Sequence, residues 1–448
     1  MADGMSDKII RDPLYNYISI DGTSDRWLVQ LLNCAEVQRL RRIHQLGISN
    51  FTYPGAEHSR LSHSLGVLHL MQVAVEHVQK ICPDAQVTNA RPVLLAAALL
   101  HDVGHGPFSH VFEPCLGIDH EKWSKRIILS EESECHGVLK GVDRFLPQKV
   151  ADLIDPDNRD DPSWMNYLLS SQLDVDRLDY LRRDSFFSGA GYGHFDWFRI
   201  LNSFELYGSE EVDRTIVWPK KSIMAVEEYV FARYYMYQNV YLHKTTRGFE
   251  KMLIAMWNRA RLIDVDAANL LPTLARFWGT GSPTIQQYLA IEEFTVLQQI
   301  QVWTEHADKA LSDLAKRFLG RNHFAAIDPP AALVQSGPED YSGQKYVEWH
   351  NALCKLVQDE GFEQEMYCLR DEVKPKYHQP YFPEKEGDEQ SAKNAIRIVE
   401  GTQSPPTEIS VLRPRLQPVT REQAVHVRHY VPCEVRPAVE NLRASWKA

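Results

Sequence analysis

The segment LLAAALLHDVGHGPFSH, residues 94–110, places metal-binding and proton-binding groups at the end of an apolar run. His101 and Asp102 are adjacent, and His105 and His110 follow closely around two glycines. Imidazole and carboxylate groups bind divalent metals, and imidazole also exchanges protons near neutral pH. The segment therefore predicts a metal centre, a proton-transfer site or both, where a buried helix ends.

Other segments contain residues that would complete a metal site. HSRLSHS contributes His63, and LDVDRLDY contributes Asp174, Asp176 and Asp179. Two histidines with two aspartates and no sulfur suit Mn, Fe, Zn, Ni or Mg better than a structural tetrahedral zinc site. Such a site keeps coordination positions for water and for a phosphoryl oxygen, which favours metal-assisted hydrolysis.

Helices must position these residues, because apolar side chains recur at three and four positions along most of the chain. We expect helices over 25–46, 58–81, 92–104, 166–184, 225–262 and 344–360. Strand-like alternation is confined to short stretches at 17–21, 214–218 and 394–399. The pattern predicts a mainly α protein, with a short β-element in residues 1–24, a helical core over 25–327 and a smaller mixed α/β lobe over 328–448.

Composition excludes some classes of function. The net charge of −11 argues against non-specific duplex binding, which depends on neutralising phosphates with Lys and Arg. There is no secretory signal and no apolar stretch long enough for a membrane span, so we expect a cytoplasmic protein without a membrane partner. The seven cysteines are scattered and form no CxxC pair, which argues against a disulfide framework and a thiolate zinc site.

The order His63, His101 and Asp102, then Asp176 resembles the H…HD…D signature of the HD-domain metal-dependent phosphohydrolases. The strings IHQLG, YPGAEHSRLSHSLGV, LLHDVGHGPFSHVFE, DHE and LDVDRLDYLRRD are similar, more narrowly, to the deoxynucleoside triphosphate triphosphohydrolases. That branch includes the animal sterile-alpha-motif HD-domain enzyme and its bacterial relatives. The resemblance is dense from 36 to 250 and weaker after about 330.

The resemblance implies a role for each matching residue. It makes His63, His101, Asp102 and Asp176 the ligands of one divalent metal, and it makes His110, His105 and Glu113 the catalytic group. It implies phosphate contacts by Arg60, His120, Arg177, Tyr180, Arg233 and Lys244. It implies sugar or base contacts by Gln45, Leu46, Asp184, Tyr237 and Tyr241, with Tyr237 standing where the family has a histidine.

A second, allosteric nucleotide site is also implied, at the junction between subunits. Gln38 and Arg41 match the family there, but Asn33 stands where the family has a base-reading aspartate. The resemblance thus leaves open which nucleotide, if any, activates the protein.

The implied reaction is hydrolysis of a dNTP to a deoxynucleoside and inorganic triphosphate, with Mg on the substrate phosphates. This activity would control dNTP pools and restrict phage or virus replication. A homo-oligomer, as a dimer, tetramer or hexamer, is implied as well. Two alternatives remain: an HD-type nuclease or phosphodiesterase acting on single-stranded nucleic acid or another nucleotide, and a nucleotide-sensing module without turnover. An intact ligand set counts against the sensor, which has no need of a hydrolytic metal.

Overall fold

The computed structural model describes residues 6–111, 113–117, 119–155, 164–208, 214–265, 269–278, 283–330, 333, 341, 343–373, 381–384, 395–401, 404–420 and 426–446. Within these ranges, the side chains of residues 85, 86, 110, 114, 116 and 373 are not described. The strands are β1 (Lys8–Asp12), β2 (Asn16–Ile20), β3 (Glu205–Tyr207), β4 (Thr215–Pro219), β5 (Phe324–Ile327), β6 (Leu369–Val373), β7 (Arg397–Val399), β8 (Thr407–Glu408) and β9 (His426–Pro432).

Helices account for most of the described chain, which confirms the mainly α prediction. The first ten are α1 (Arg26–Leu32), α2 (Ala35–Arg39), α3 (Arg60–Ile81), α4 (Ala85–Leu100), α5 (Glu113–Leu116), α6 (His120–Leu129), α7 (Glu134–Val142), α8 (Leu146–Ile154), α9 (Trp164–Leu169) and α10 (Val175–Ser188). The next seven are α11 (Trp197–Leu201), α12 (Ile223–Met236), α13 (Lys244–Leu262), α14 (Pro272–Trp278), α15 (Ile285–Leu289), α16 (Glu293–Trp303) and α17 (Lys309–Leu319). The remaining five are α18 (Gln344–Asp359), α19 (Gln364–Tyr367), α20 (Ile409–Leu412), α21 (Gln417–Thr420) and α22 (Arg436–Ser445).

Two of the predicted long helices are wrong in their continuity, because side chains cap the backbone inside them. The stretch predicted over 25–46 breaks between α1 and α2, where the Gln38 amide donates to the Leu32 carbonyl over 2.7 Å. It also ends early, at Arg39, because a 3-10 turn over Leu40–Arg42 leads into the extended residue Ile43. The stretch predicted over 166–184 divides into α9 and α10. There the Asp174 carboxylate accepts 2.8 Å hydrogen bonds from the backbone N–H groups of Ser171 and Arg177.

The predicted helix over 225–262 is also interrupted. A π-helical turn, Tyr237–Tyr241, follows α12, and His243 then adopts an extended conformation and caps α13 by accepting from the Thr245 N–H over 3.2 Å. The expected start of a helix at Pro92 is wrong too, since Pro92 lies inside α4 and Asp84 provides the cap. The predictions for 58–81 and 344–360 agree with α3 and α18 to within two residues at each end.

The core of the molecule is built where α4 packs against α3. Every side chain from Leu94 to Leu100 is fully buried, so the end of α4 that leads into His101 is fixed on all sides. On its other face α3 approaches α10 closely at Gly66, where an added Cβ would lie 1.9 Å from the Asp179 carboxylate. Burial and this close approach hold α3, α4 and α10 in one unit.

Three small sheets border the helices. One is the antiparallel β1–β2 hairpin, the second has the order β3-β4-β7-β8 with β4 and β7 parallel, and the third has the order β5-β9-β6. β4 pairs with β7, and β5 pairs with β9. Strands near the carboxyl end of the chain therefore complete sheets that begin with strands earlier in the sequence. The predicted division after residue 327 falls at the end of β5 and stays a prediction. Among the described helices, none has both the length and the apolar composition needed to cross a bilayer.

Candidate active site

Three of the predicted metal ligands meet at the junction of α3, α4 and α10. The Nε2 atoms of His63 and His101 are 3.2 Å apart. The Oδ1 atom of Asp176 lies 3.0 Å from the His63 nitrogen and 3.7 Å from the His101 nitrogen. Each residue thereby offers one donor atom, and the three atoms lie within 4.8 Å of one another. Two imidazoles and a carboxylate in this arrangement fit a divalent transition metal.

The other nitrogen of each imidazole is held by the protein. The Nδ1 atom of His63 lies 2.8 Å from Asp179, and that of His101 lies 2.9 Å from the Ala98 carbonyl. Asp179 is in turn paired with Arg183 and accepts a 2.8 Å hydrogen bond from the Tyr15 hydroxyl. Such partners fix the tautomer and orientation of a metal-binding histidine, so both Nε2 atoms are left to face the cluster.

Asp102 lies beside this cluster and is shared with a cation. Its Oδ2 atom is 2.5 Å from the Arg60 guanidinium, while Oδ1 is 3.4 Å from His101 Nε2 and 3.4 Å from His105 Nε2. Burial alone would raise the pKa of Asp102, but the charge of Arg60 and the nearby histidines hold that pKa well below its ordinary value. Asp102 is therefore a carboxylate, the form that a metal requires.

A second cluster, of His105, Glu113 and His120, lies next to the first. The rings of His105 and His120 stack with centroids 3.8 Å apart, and the Glu113 carboxylate lies 2.7 Å from His120 Nδ1. Burial, together with the Arg60 cation, holds the pKa of His105 well below its ordinary value, so its ring is neutral. The backbone of His110 lies in the 3-10 turn Ser109–Val111, but its side chain lies outside the described part of the chain.

The loop between the two clusters is held by residues distant in sequence. The Arg39 guanidinium donates to the His105 carbonyl over 2.8 Å, and the Glu293 carboxylate accepts from the Phe108 N–H over 3.1 Å. Arg60 donates to the Ser109 hydroxyl over 2.6 Å. Phe108 and Ser109 both have φ of +54°, a conformation that costs free energy unless the surroundings enforce it. These contacts provide that enforcement.

A cavity of about 460 Å³ opens over both clusters. Most of the predicted contact residues line it: Gln45, Leu46, Arg60, His63, His101, Asp102, His105, His120, Asp176, Arg177, Tyr180, Asp184, Tyr237 and Tyr241. Four further residues that the sequence does not single out also line it: Glu121, Ile154, Leu169 and Ser170. The volume is in the range of pockets that enclose small-molecule ligands.

Three of the predicted catalytic and phosphate-contact residues with described side chains lie outside the lining of this cavity. Lys244 is exposed at the first position of α13, and its predicted phosphate contact stays a prediction. Arg233 is buried behind the cavity, with its guanidinium 5.7 Å from the centroid of the Tyr237 ring. Glu113 touches the cavity through His120.

One end of the cavity carries a hydrogen-bonded acid. Asp184 accepts from the Tyr241 hydroxyl over 2.8 Å, and its other oxygen lies 2.8 Å from His58 Nε2. The Oε1 atom of Gln45 is buried beside it and finds no hydrogen-bond partner among the described residues. A polar ligand group at this end would meet an acceptor that the protein itself leaves unsatisfied.

The predicted allosteric residues lie together near the break between α1 and α2. Arg41 donates to the Gln38 side chain over 2.7 Å, and Gln38 caps Leu32, as described above. Asn33 is exposed at the carboxyl end of α1. The chain thus places the three residues in one region, and their role in binding a nucleotide stays a prediction.

Sequence reasoning named some supporting residues without their roles and missed others. Asp174 and Asp179 are named with Asp176 as candidates for the metal site, but Asp174 caps α10 and Asp179 holds the Nδ1 atom of His63. Arg39 and Glu293 were missed, because each contacts the site from a distant segment.

The comparisons with known proteins agree with this geometry. The HD domain family model matches residues 60–184, and the model of an HD associated region matches residues 195–272. The uncharacterized Bacillus subtilis protein YwfO is 38% identical over 324 residues, which are 72% of this chain and 72% of that protein. The chain therefore belongs to the HD-domain family.

Other matches link the chain to phosphohydrolases. The Dictyostelium discoideum homolog of the deoxynucleoside triphosphate triphosphohydrolase SAMHD1 is 29% identical over 268 residues. This match covers 57% of the chain and 50% of that protein. The crystal structure of a Bacteroides thetaiotaomicron phosphohydrolase is similar with a TM-score of 0.75 and 26% identity, covering 95% of this chain and 99% of that one. These findings confirm the resemblance to HD-domain triphosphohydrolases and support a hydrolase.

Proposed function

We propose that the protein hydrolyses deoxynucleoside triphosphates at the α-phosphorus and releases a deoxynucleoside and inorganic triphosphate. One observation carries the proposal. A single cavity of nucleotide size has a metal-binding cluster on its wall, guanidinium groups beside that cluster and a hydrogen-bonding acid with apolar neighbours at one end. These are the groups that a nucleotide's phosphates and sugar require.

His63, His101, Asp102 and Asp176 would hold the metal, for which Mn, Fe, Zn and Ni are the candidates, with Mg on the substrate phosphates. The donor set fits, since its nitrogen and carboxylate atoms converge and the outer nitrogens of both histidines are engaged by protein acceptors. When bound, such an ion polarises a phosphoryl oxygen and lowers the pKa of water.

Cationic side chains would neutralise the triphosphate. Arg60 is fixed between Asp102 and Ser109, so its position is set before substrate binds. The Nε of Arg177 is buried with no hydrogen-bond partner among the described residues, although its NH1 pairs with Asp174. A phosphate oxygen would satisfy this donor, and guanidinium is well suited to such contacts. Arg233 would act through the Tyr237 ring, and Tyr180 would contribute its hydroxyl.

The opposite end of the cavity would bind the sugar. Asp184 and Gln45 would accept the 3'-hydroxyl, while Leu46 and Tyr241 would face C2'. A ribose 2'-hydroxyl placed against Leu46 would lose its hydrogen bonds to water without gaining others. This loss disfavours ribonucleotides and gives the preference for a deoxy substrate.

The histidines would move the proton. Water forms the new bond to the α-phosphorus and gives up one proton, the bond from phosphorus to the 5'-oxygen breaks, and the 5'-oxygen takes a proton as it leaves. His110 or His105 would supply the proton to the 5'-oxygen. His105 and His120, held by Asp102 and Glu113, would position the water and the phosphate.

At the level of the cell, the activity would lower dNTP pools in the cytoplasm and restrict phage or virus replication. A homo-oligomer would place Gln38, Arg41 and Asn33 at a subunit junction, where a nucleotide activator would bind. These statements rest on the proposed reaction.

Incubation of the purified protein with Mn²⁺ and each dNTP or NTP, followed by chromatography of the products, tests the proposal. We expect free deoxynucleoside and triphosphate from dNTPs, and loss of both turnover and bound metal in Asp102→Ala. The exposed substitution Asp359→Ala is the control and should retain both. Monophosphate with pyrophosphate, turnover of ribonucleotides alone, or cleavage of single-stranded nucleic acid in place of dNTPs would contradict the proposal.

A further inference from the structure

Three metal-binding side chains meet in the carboxyl-terminal part of the chain, away from the cavity. His350 and Cys354 are four positions apart on α18 and so share one helix face, and Cys368 directly precedes β6. The two sulfur atoms are 3.2 Å apart, and Cys354 Sγ lies 3.7 Å from His350 Nε2. The three donor atoms lie within 4.8 Å of one another.

These separations are close to those of a zinc site. Tetrahedral zinc, with bonds of about 2.3 Å to sulfur and 2.0 Å to nitrogen, separates its donor atoms by roughly 3.5 to 3.8 Å. Only small side-chain adjustments are then needed to bring the three donors onto one ion.

A second imidazole borders this group of three side chains. His429, on the central strand β9, is fully buried, and its ring centroid lies 5.0 Å from that of His350. Its Nε2 lies 3.3 Å from the Tyr346 hydroxyl, while its Nδ1 is buried with no hydrogen-bond partner among the described residues.

We propose that His350, Cys354 and Cys368 form a second metal site, for a thiophilic divalent ion of the zinc class. The ion would tie α18 to the β5-β9-β6 sheet through Cys368, and the protons of both thiols would leave as the ion binds. The site escapes the sequence pattern because its cysteines are separated by a turn and the short helix α19, not arranged as CxxC. It is independent of the HD cluster and of the reaction proposed above.

A second buried cysteine pair does not support the same proposal. Cys34, Glu36 and Cys135 are also close together, but there is no imidazole in this group. Glu36 already accepts a 2.9 Å hydrogen bond from the Glu134 N–H.

Cobalt(II) absorption separates this site from the HD cluster, since sulfur-to-cobalt charge transfer requires a thiolate ligand and the HD cluster has none. The reduced full-length protein is loaded with Co²⁺, and its near-ultraviolet spectrum and bound metal are measured. We expect the charge-transfer band in the parent protein and in Asp102→Ala. The band should be lost in Cys354→Ser and in Cys368→Ser, together with one bound metal per chain. Cys135→Ser, at the other cysteine pair, should keep the band.

His350→Gln keeps the experiment decisive if a cysteine variant fails to fold, because His350 is half-buried and both thiols remain. We expect this variant to bind Co²⁺ at least tenfold more weakly while retaining the circular dichroism of the parent. Absence of the band in the reduced parent protein would overturn the proposal. So would a band that survives Cys354→Ser, or isolation of the protein with a Cys354–Cys368 disulfide and no metal at these residues.

Discussion

His63 uses its two ring nitrogens for different purposes. Nε2 faces the metal-binding group of His101 and Asp176, and Nδ1 is held by Asp179, which is itself paired with Arg183. Because the position of a metal ligand must be accurate to a fraction of an ångström, the outer contact contributes to affinity even though it does not touch the metal.

We therefore expect Asp179→Asn to lower the affinity for the active-site metal by roughly 10 to 100-fold. Asp12→Asn is a matched control. Asp12 also pairs with Arg183, over 2.9 Å, but His63 contacts Asp179 and not Asp12. Calorimetric titration with Mn²⁺ measures the metal affinity of both variants. Equal losses in the two would mean that the Arg183 pairing matters and the orientation of His63 does not.

His44 gives stability a pH dependence. Hydrogen bonding to the buried Glu293 raises the pKa of His44 to about 9, against the opposite effect of burial. This pKa exceeds the value of about 6.5 for histidine in the unfolded chain. The protonated His44 therefore stabilises the folded protein fully below about pH 6.5, and this stabilisation is lost as the pH rises through about 9. We expect His44→Gln to destabilise the protein clearly at about pH 6 and much less at about pH 9.5. Urea unfolding at both values measures this, and an equal effect at both would refute the linkage.

At the scale of elements, the joint between α4 and α6 controls where the two clusters stand. Gly104 follows His101, and its N–H donates to the Ser124 hydroxyl over 2.9 Å; that hydroxyl donates to the His101 carbonyl over 3.0 Å. An added Cβ at Gly104 would lie 2.2 Å from the His120 carbonyl oxygen. The glycine is thus required by close packing of one helix end against another.

Gly104→Ala should push α6 away and displace His120 with it. We expect a loss of stability of about 1–3 kcal/mol or more, with weaker phosphate binding. Gly137→Ala is the matched control: Gly137 lies in α7 with no atom within 4 Å of the added Cβ, and alanine there should stabilise by about 0.5–1 kcal/mol. Urea unfolding and phosphate titration distinguish the two. A stable Gly104→Ala variant with unchanged binding would show that α6 is free to move.

The elements also show what the sequence could predict. Apolar periodicity located α3 and α18 and the buried run within α4, although α4 ends at Leu100 and not at the predicted residue 104, because burial of one face or all faces leaves a regular pattern. It missed the breaks at Cys34, Asp174 and His243, since periodicity carries on through a short interruption and the capping bonds involve single side chains. The family resemblance, not the periodicity, named most of the residues that line the cavity, and their contributions to binding and catalysis stay predictions.

At the scale of the whole molecule, the third sheet depends on β9, the last strand in the described part of the chain. β9 is the central strand of its sheet and pairs with both β5 and β6. Tyr430 on β9 also packs against Gly248 of α13, where an added Cβ would lie 3.1 Å from the ring. The carboxyl-terminal segment is therefore part of the fold that supports the helical core.

A chain ended at residue 425 lacks β9 and leaves β5 and β6 without their shared partner in that sheet. We expect this truncation to aggregate, because unpaired strands and newly exposed apolar surface invite association. Size-exclusion chromatography beside the full-length chain measures the outcome. A soluble truncated chain with an unchanged melting temperature would show that the helices are sufficient alone.

The supports of the loop between the two clusters have a practical consequence for protein engineering. The HD family match spans 60–184, yet Asp12, Arg39 and Glu293 hold its side chains and backbone from outside that range. A designer who grafts the matched segment onto another scaffold would transfer the ligands without the groups that set their geometry. A graft that keeps the geometry of this site must therefore include Asp12, Arg39 and Glu293 and the elements that hold them.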